Sequence, residues 1–289
     1  MAGRAGGSVF LLTDYGLADE FAGVVRAAVS RHAPGVAIID LTHDVTPFDV
    51  RAGALALERA APHLGPGVVM GVVDPGVGTA RRAVAMSVRS GEERGGPQHF
   101  VGPDNGLLLW AVELLGGVAR VVEIQRSSAP PSSEPASSGP PITATFDGRD
   151  VFAPAAARLW QGVSLATLGP ELDPAALVRL SDPHLAVCPG VLEAEVLWID
   201  RFGNVQLAAV PRDVTAAALG DELEVRAAVG HRARRVATFA ALEPGELGLI
   251  VDANGHIAVV CDRQSAATVL GVQPGDLVTL RAVAPGRAP

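Results

Sequence analysis

The sequence predicts an α/β N-terminal domain with a mostly parallel sheet, followed by a smaller C-terminal β-domain. Three observations predict this. Apolar strand-like runs alternate with helical periods through roughly the first third of the chain, the signature of parallel strands joined by crossover helices. Beyond "SDPHLAVCPGV" at 181–191 the pattern changes to short alternating runs cut by Gly, Asp and Pro, as in a small β-domain. A chain of 289 residues with 48% hydrophobic content buries a sizeable core and suits two domains. The expected domains are 1–185 and 186–289.

Taken in order, "SVFLL" is a buried strand that stops at "TDYG", where Asp and Gly favour a turn. The apolar spacing of "DEFAGVVRAAVSRHAPG" predicts an amphipathic helix from Asp19, closed by Pro-Gly. "VAIIDLTH" reads as a second strand, "DVRAGALALERAAPHLGPG" repeats the helical period, and "GVVMGVVD" returns to strand. Ligands of such sheets gather beyond the carboxyl ends of strands, where "TDYG", "THDVTPFD" (42–49) and "DPGVG" (74–78) all fall. "FVGPDNG" (100–106) is a strand followed by a turn. "RSSAPPSSEPASSGPP" (126–141) has no apolar period, which predicts an exposed, mobile loop. The C-terminal strands are expected in "LEAEVLWID", "GDELEVRAAV", "GLIVDA", "HIAVVCD" and "DLVTLRAV".

Composition excludes several classes of function. A net charge of −8 opposes nucleic-acid binding, which needs clustered cations against phosphate; a small-molecule partner is expected instead. All 23 basic residues are arginine, so neither a Walker loop nor a Schiff-base lysine can be built. Cys188 and Cys261 form no CxxC pair, and His43-Asp44 lacks further ligands at metal spacing, so no metal is expected. No apolar run reaches signal-peptide or membrane-spanning length, which points to a cytoplasmic protein without a membrane partner.

The junctions carry the chemistry-bearing residues. In "GVVDPGVGTARR" (71–82), Gly76 and Gly78 could offer backbone N–H groups to an anion. Asp74 opposes that anion, Pro75 removes a donor, and the third glycine of a dinucleotide fingerprint is missing. The plain reading is a tight turn with Arg81 and Arg82 in solvent. Asp14 is a turn acid, or a carboxylate able to accept from two vicinal ribose hydroxyls. "FDGRD" (146–150) reads by itself as a surface ion network, and "WIDRFGN" (198–204) as a strand ending in turn residues that expose Phe202. Five such strand-to-turn junctions carry Asp, Asn or Arg, and junctions at one sheet edge can converge on a pocket.

Seven stretches in order, "LLTDYGLADEFAG", "IIDLTHDVTPFDVRAGA", "VVDPGVGTARR", "FVGPDNGLL", "TFDGRDVFAPAAA", "WIDRFGNV" and "VDANGHIAVV", resemble the family that contains S-adenosylmethionine hydrolase (hydroxide adenosyltransferase), the fluorinase and the chlorinase. The resemblance implies an α/β N-terminal domain, a β-barrel-like C-terminal domain, and a homotrimer with sites between neighbouring subunits. It implies that Asp14 holds the ribose hydroxyls and that Phe48 and Phe146 line the substrate pocket. Asp200 then receives the methionine ammonium, while Phe202, Asn204 and, after a one-residue gap, Phe239 meet the adenine. Asp74 and Arg81 match two of the three groups around the hydrolases' nucleophilic water. The third is a histidine in "FHGRD", where this chain has Asp147.

The expected reaction is hydrolysis of S-adenosylmethionine to adenosine and L-methionine by attack of water at C5′. S-adenosylmethionine is then the substrate, and no cofactor is required. Asp74, Arg81 and Asp147 form the expected catalytic set. Asp147 leaves room for a non-catalytic binder of S-adenosylmethionine or adenosine. Halogenation is disfavoured, because Asp74 places negative charge where a halide must enter.

Overall fold

A computed structural model of the chain describes residues 7–89, 98–125 and 145–283. The loop expected at 126–141 lies outside the described residues. The chain divides into two compact units between Leu180 and Ser181.

The first unit carries β1 (Ser8–Thr13), α1 (Phe21–His32), β2 (Ala37–Thr42), α2 (Val50–Ala60), β3 (Gly67–Val72), β4 (Ala83–Val88), β5 (Gln98–Pro103), α3 (Leu109–Leu114), β6 (Val118–Glu123) and α4 (Ala153–Trp160). A short π-helical turn, Gly148–Phe152, leads into α4. Helix α1 begins two residues later than predicted, because the exposed Asp19 and Glu20 offer no apolar anchor and its first buried residue is Ala22. The strands form one sheet in the order β2-β1-β3-β5-β4-β6. Pairings β1–β2, β1–β3 and β3–β5 are parallel; β4 pairs antiparallel with both β5 and β6. Among the described strands, therefore, β4 alone is reversed.

Strands β1 and β3 are buried almost throughout, as strands covered by helices on both faces must be. One core cluster packs Val9, Leu11, Met70 and Phe152 against α1 and α4, and another packs Phe10, Leu12, Leu57 and Phe100 against α2 and α3. Near its carboxyl end β1 slips register against β2 between Leu11 and Leu12. Such an irregularity re-aims the residues that follow, here Thr13 to Tyr15.

The second unit carries β7 (Leu185–Cys188), β8 (Val191–Ile199), β9 (Val205–Leu207), α5 (Pro211–Ala216), β10 (Glu222–Arg226), β11 (Gly230–Arg235), β12 (Leu247–Val251), β13 (Ile257–Cys261), α6 (Ala266–Leu270) and β14 (Leu277–Ala282). Its sheet runs β14-β10-β11-β12-β13-β9-β8-β7, and pairing of β14 with β8 closes a seven-stranded barrel. Period-2 alternation turns Leu192, Ala194, Val196, Leu223, Val225, Val278 and Leu280 into the barrel core. Among the described residues no helix is long and apolar enough to cross a membrane.

Candidate active site

The first unit holds a cavity of about 290 Å³ whose lining includes Asp14, Tyr15, Phe48, Asp74, Phe146 and Asp147. Its carboxylates sit where elements begin or end. Asp14 directly follows β1, Asp74 lies just beyond β3, and Asp147 precedes the π-helical turn. Because β4 is reversed, Arg81 enters from the start of that strand at the same sheet edge.

The segment 73–82 folds on itself. Val77 N donates to Asp74 O (3.3 Å), Thr79 N to Gly76 O (3.1 Å), and Arg81 N to Thr79 Oγ1 (3.3 Å). These bonds spend the amides of Val77, Thr79 and Arg81, and the buried carboxylates of Asp74 and Asp147 beside the loop oppose an anion there, so the phosphate reading fails. The expectation of solvated arginines fails as well. Arg81 Nε donates to both Asp74 oxygens at 3.0 Å, and its Nη2 donates to Asp74 Oδ2 and, at 2.5 Å, to Asp147 Oδ2. The side chains of Arg81, Asp74 and Asp147 are only 11%, 6% and 1% exposed. Arg82 pairs with Asp104, which belongs to the "FVGPDNG" turn, and also donates to Ala176 O. In that same turn Asn105 Nδ2 donates to Val73 O at 2.8 Å, fastening the base of the Asp74 loop.

Asp147 thus corrects the reading of "FDGRD" as a surface network. Gly148, Val151 and Phe152 bury this turn, and Asp147 goes inside with it. Arg149 pairs instead with the neighbouring Asp150 and lies over the Phe146 ring, 5.2 Å from its centroid. Burial by itself would lower the Arg81 pKa; hydrogen bonds and charge from Asp74, then Asp147, outweigh it and hold Arg81 above its ordinary value. A charged guanidinium therefore sits between two buried acids.

Asp14 Oδ2 accepts from Phe48 N at 2.9 Å, tying the loop after β2 to the end of β1. Beneath them lies a network the sequence reading missed. Buried Thr13 Oγ1 bonds His43 Nδ1 (2.8 Å) and accepts from Tyr15 N (3.2 Å), while His43 Nε2 faces Asp40 at 3.2 Å. The only earlier signal was His43 standing beside a junction. Phe48 sits at φ 68°, a left-handed conformation unfavourable for a bulky residue, and is 72% exposed. Backbone strain held by surrounding bonds clusters at functional sites.

In the second unit, Asp200 builds the loop that carries its neighbours. Oδ1 accepts from Phe202 N and Asn204 N, both at 2.9 Å, and Oδ2 accepts from Asn204 Nδ2 at 2.7 Å. Gly203 is required twice: its φ is +85°, and a Cβ there would lie 2.1 Å from Ser265 Oγ. The loop presents Phe202 with 74% exposure. Phe202, Asn204 and Phe239 line one cavity of about 550 Å³, while Asp200, Asn204 and Phe239 share another of about 470 Å³. The structure therefore gathers Asp14, Phe48, Asp74, Phe146 and Asp147 in the first unit, with Arg81 binding two of them. It gathers Asp200, Phe202, Asn204 and Phe239 in the second.

The class so defined has two parts: an α/β unit with an acid-lined pocket at its strand ends, and, in the same chain, a barrel bearing exposed aromatics. Comparison narrows the class. Residues 9–169 match the SAM hydroxide adenosyltransferase N-terminal domain and residues 194–279 match the C-terminal domain. The chain belongs to the SAM hydroxide adenosyltransferase family. It is 44% identical over 270 residues to the (R)-S-adenosyl-L-methionine hydrolase of Salinispora tropica, covering 93% of this chain and 96% of that one. It is 45% identical over 271 residues to the protein of the same name from Salinispora arenicola, at 93% and 96% coverage. A crystal structure of an uncharacterized conserved protein from Thermotoga maritima superposes with a TM-score of 0.82 at 32% identity, over 94% of this chain and 99% of that one.

Proposed function

We propose that this chain hydrolyses S-adenosylmethionine to adenosine and L-methionine by in-line attack of water at ribose C5′. The observation that carries the proposal is the buried Asp74–Arg81–Asp147 bridge at the pocket edge. As the C5′–O bond forms, the C5′–S bond breaks and its electron pair returns to sulfur. Methionine leaves as a neutral thioether and needs no general acid. Water is the difficult partner. The two carboxylates accept its protons, one taking a proton fully, a contribution of about 10²–10⁴-fold for a positioned base. Arg81 commits Nε and Nη2 to the acids, and its Nη1 makes no bond among the described residues. That N–H is assigned to the developing hydroxide, where one preorganised donor is worth about 3 kcal/mol.

Asp14 takes the ribose diol, with Phe48 and Phe146 as pocket walls. Asp200 takes the methionine ammonium beside the bonds of its own loop, and Phe202, Asn204 and Phe239 take the adenine. We place the complete site in a homotrimer, between subunits; exposed Leu17, Phe48 and Phe202 are apolar surface that such assembly would cover. The reaction uses no cofactor. Two free thiols suit a cytoplasmic setting.

Incubation with S-adenosylmethionine in H₂¹⁸O, followed by chromatography and mass spectrometry, tests the reading. Adenosine labelled at its 5′ oxygen is expected. Turnover no faster than a buffer blank, despite binding in calorimetry, would establish a non-catalytic binder. A 5′-halogenated nucleoside appearing with added halide would establish a halogenase.

A further inference from the structure

The hydroxyl of Tyr15, the chain's only tyrosine, has no part in the mechanism above. Its position is fixed unusually well. The ring packs edge-on to Phe146 (5.7 Å, 76°) and tilted to Phe21 (6.1 Å, 51°), and those two rings meet each other at 5.3 Å and 90°. Its backbone is tied through Tyr15 N to Thr13 Oγ1, and the next amide, Gly16 N, donates to His43 O at 2.7 Å.

The hydroxyl lies over Gly148. A Cβ at that position would stand 2.2 Å from Tyr15 Oη. Gly148 is not among the residues with positive φ, so its backbone does not require glycine; the space taken by the hydroxyl does. Gly148 immediately follows Asp147, and the cavity lining includes Tyr15 together with Asp14, Asp74 and Asp147. Among the described residues the Tyr15 hydroxyl makes no hydrogen bond. Burial first, then the charges of Asp14, Asp74 and Asp147, push its pKa above the ordinary tyrosine range. It therefore remains a proton donor at working pH.

We propose that Tyr15 is a further catalytic residue, its Oη donating a hydrogen bond to the nucleophilic water and to the hydroxide forming from it. The proposal rests on the hydrolytic reading. A cavity walled by four carboxylates, Asp14, Asp19, Asp74 and Asp147, is rich in acceptors. Water that gives its protons toward Asp74 and Asp147 has two lone pairs left, one pointed at C5′ and one for a donor; as a proton leaves, a third lone pair is freed, so the forming hydroxide accepts from both Arg81 Nη1 and Tyr15 Oη. Tyr15 keeps its own proton throughout, while a carboxylate takes the proton of the water.

The test is Tyr15→Phe in the full-length protein, which keeps the ring packing and removes one oxygen. The expected result is a fall in kcat of about 10- to 100-fold, with KM for S-adenosylmethionine, adenosine affinity by calorimetry and Tm unchanged. A kcat within twofold of an active parent overturns the proposal and leaves hydrolysis standing. A raised KM with intact kcat also overturns it, by assigning the hydroxyl to substrate binding. A parent that forms no adenosine removes the hydrolytic reading first. A second variant, Gly148→Ala, drives a methyl into the hydroxyl's place; it should lower kcat in the Tyr15 background and add little in Tyr15→Phe. Equal losses in both backgrounds contradict the proposal.

Discussion

Arg81→Met isolates the electrostatics of the bridge. The substitution keeps much of the side-chain volume and removes the charge, leaving Asp74 and Asp147, 6% and 1% exposed, without their shared cation. A charge pair about 4 Å apart is worth about 4 kcal/mol at an effective dielectric constant near 20, so the two pairs supply about 8 kcal/mol gross. Desolvation of three ions and repulsion between the acids offset part of this, and the expected loss is the ~3–5 kcal/mol cost of stranding a buried charge. For a unit of this size that corresponds to a Tm lower by about 6–20 °C. The assay is scanning calorimetry with urea titration at neutral pH, alongside the triple variant Asp74→Asn, Arg81→Met, Asp147→Asn. Because the triple variant buries no charge, it should recover more than half of the loss. A single variant within about 1 kcal/mol of the parent, or a triple variant less stable than the single, would refute the reasoning.

Three further outcomes follow from the site. Asp74→Ala should lower kcat by about 10²-fold or more while changing KM little, measured as adenosine release; a collapse in affinity with the saturated rate preserved would contradict its role toward water. Asp147→His should turn over at least as fast as the parent, since it restores the histidine of the resembling hydrolases, and a large fall in the same assay would give Asp147 a task of its own. Phe48→Gly relieves a left-handed φ of 68° worth about 1 kcal/mol. Its Tm should hold or rise while KM increases, and an unchanged KM would remove Phe48 from the substrate wall.

Local chemistry was legible in the sequence wherever it decided the structure. The runs that became β1, α1, β2, α2 and β3 were readable because apolar period and turn residues agree there. The reversal of β4 was not readable, since "AVAMSV" is an apolar run with no inherent direction and the partner strand sets its sense. That hid the bridge: Asp74 and Arg81 are seven residues apart, but Asp147 reaches them only through the fold. Asp147 itself looked like surface because its neighbours Arg149 and Asp150 are charged, whereas Gly148 and Phe152 take the turn inward. Alternation showed which faces of β8 and β14 point to a core, yet not that these strands pair, Leu277 with Glu195 and Arg281 with Val191, across most of the second unit. Tyr15 was obscured by the Asp and Gly on either side, which read as a turn whatever stands between them.

The reversed β4 has one more consequence. It makes residues 73–82 an excursion that leaves and re-enters the sheet at one edge, so the register of the six strands is indifferent to what the excursion contains. Ten residues there can be lengthened or rewritten at little cost in loop closure, and their new contents are delivered to the same place. The scaffold thus separates what is attacked from what attacks. Two of the groups that handle the nucleophile, Asp74 and Arg81, travel together on a replaceable strap, and descent with change can try new nucleophiles there without rebuilding the barrel or the core.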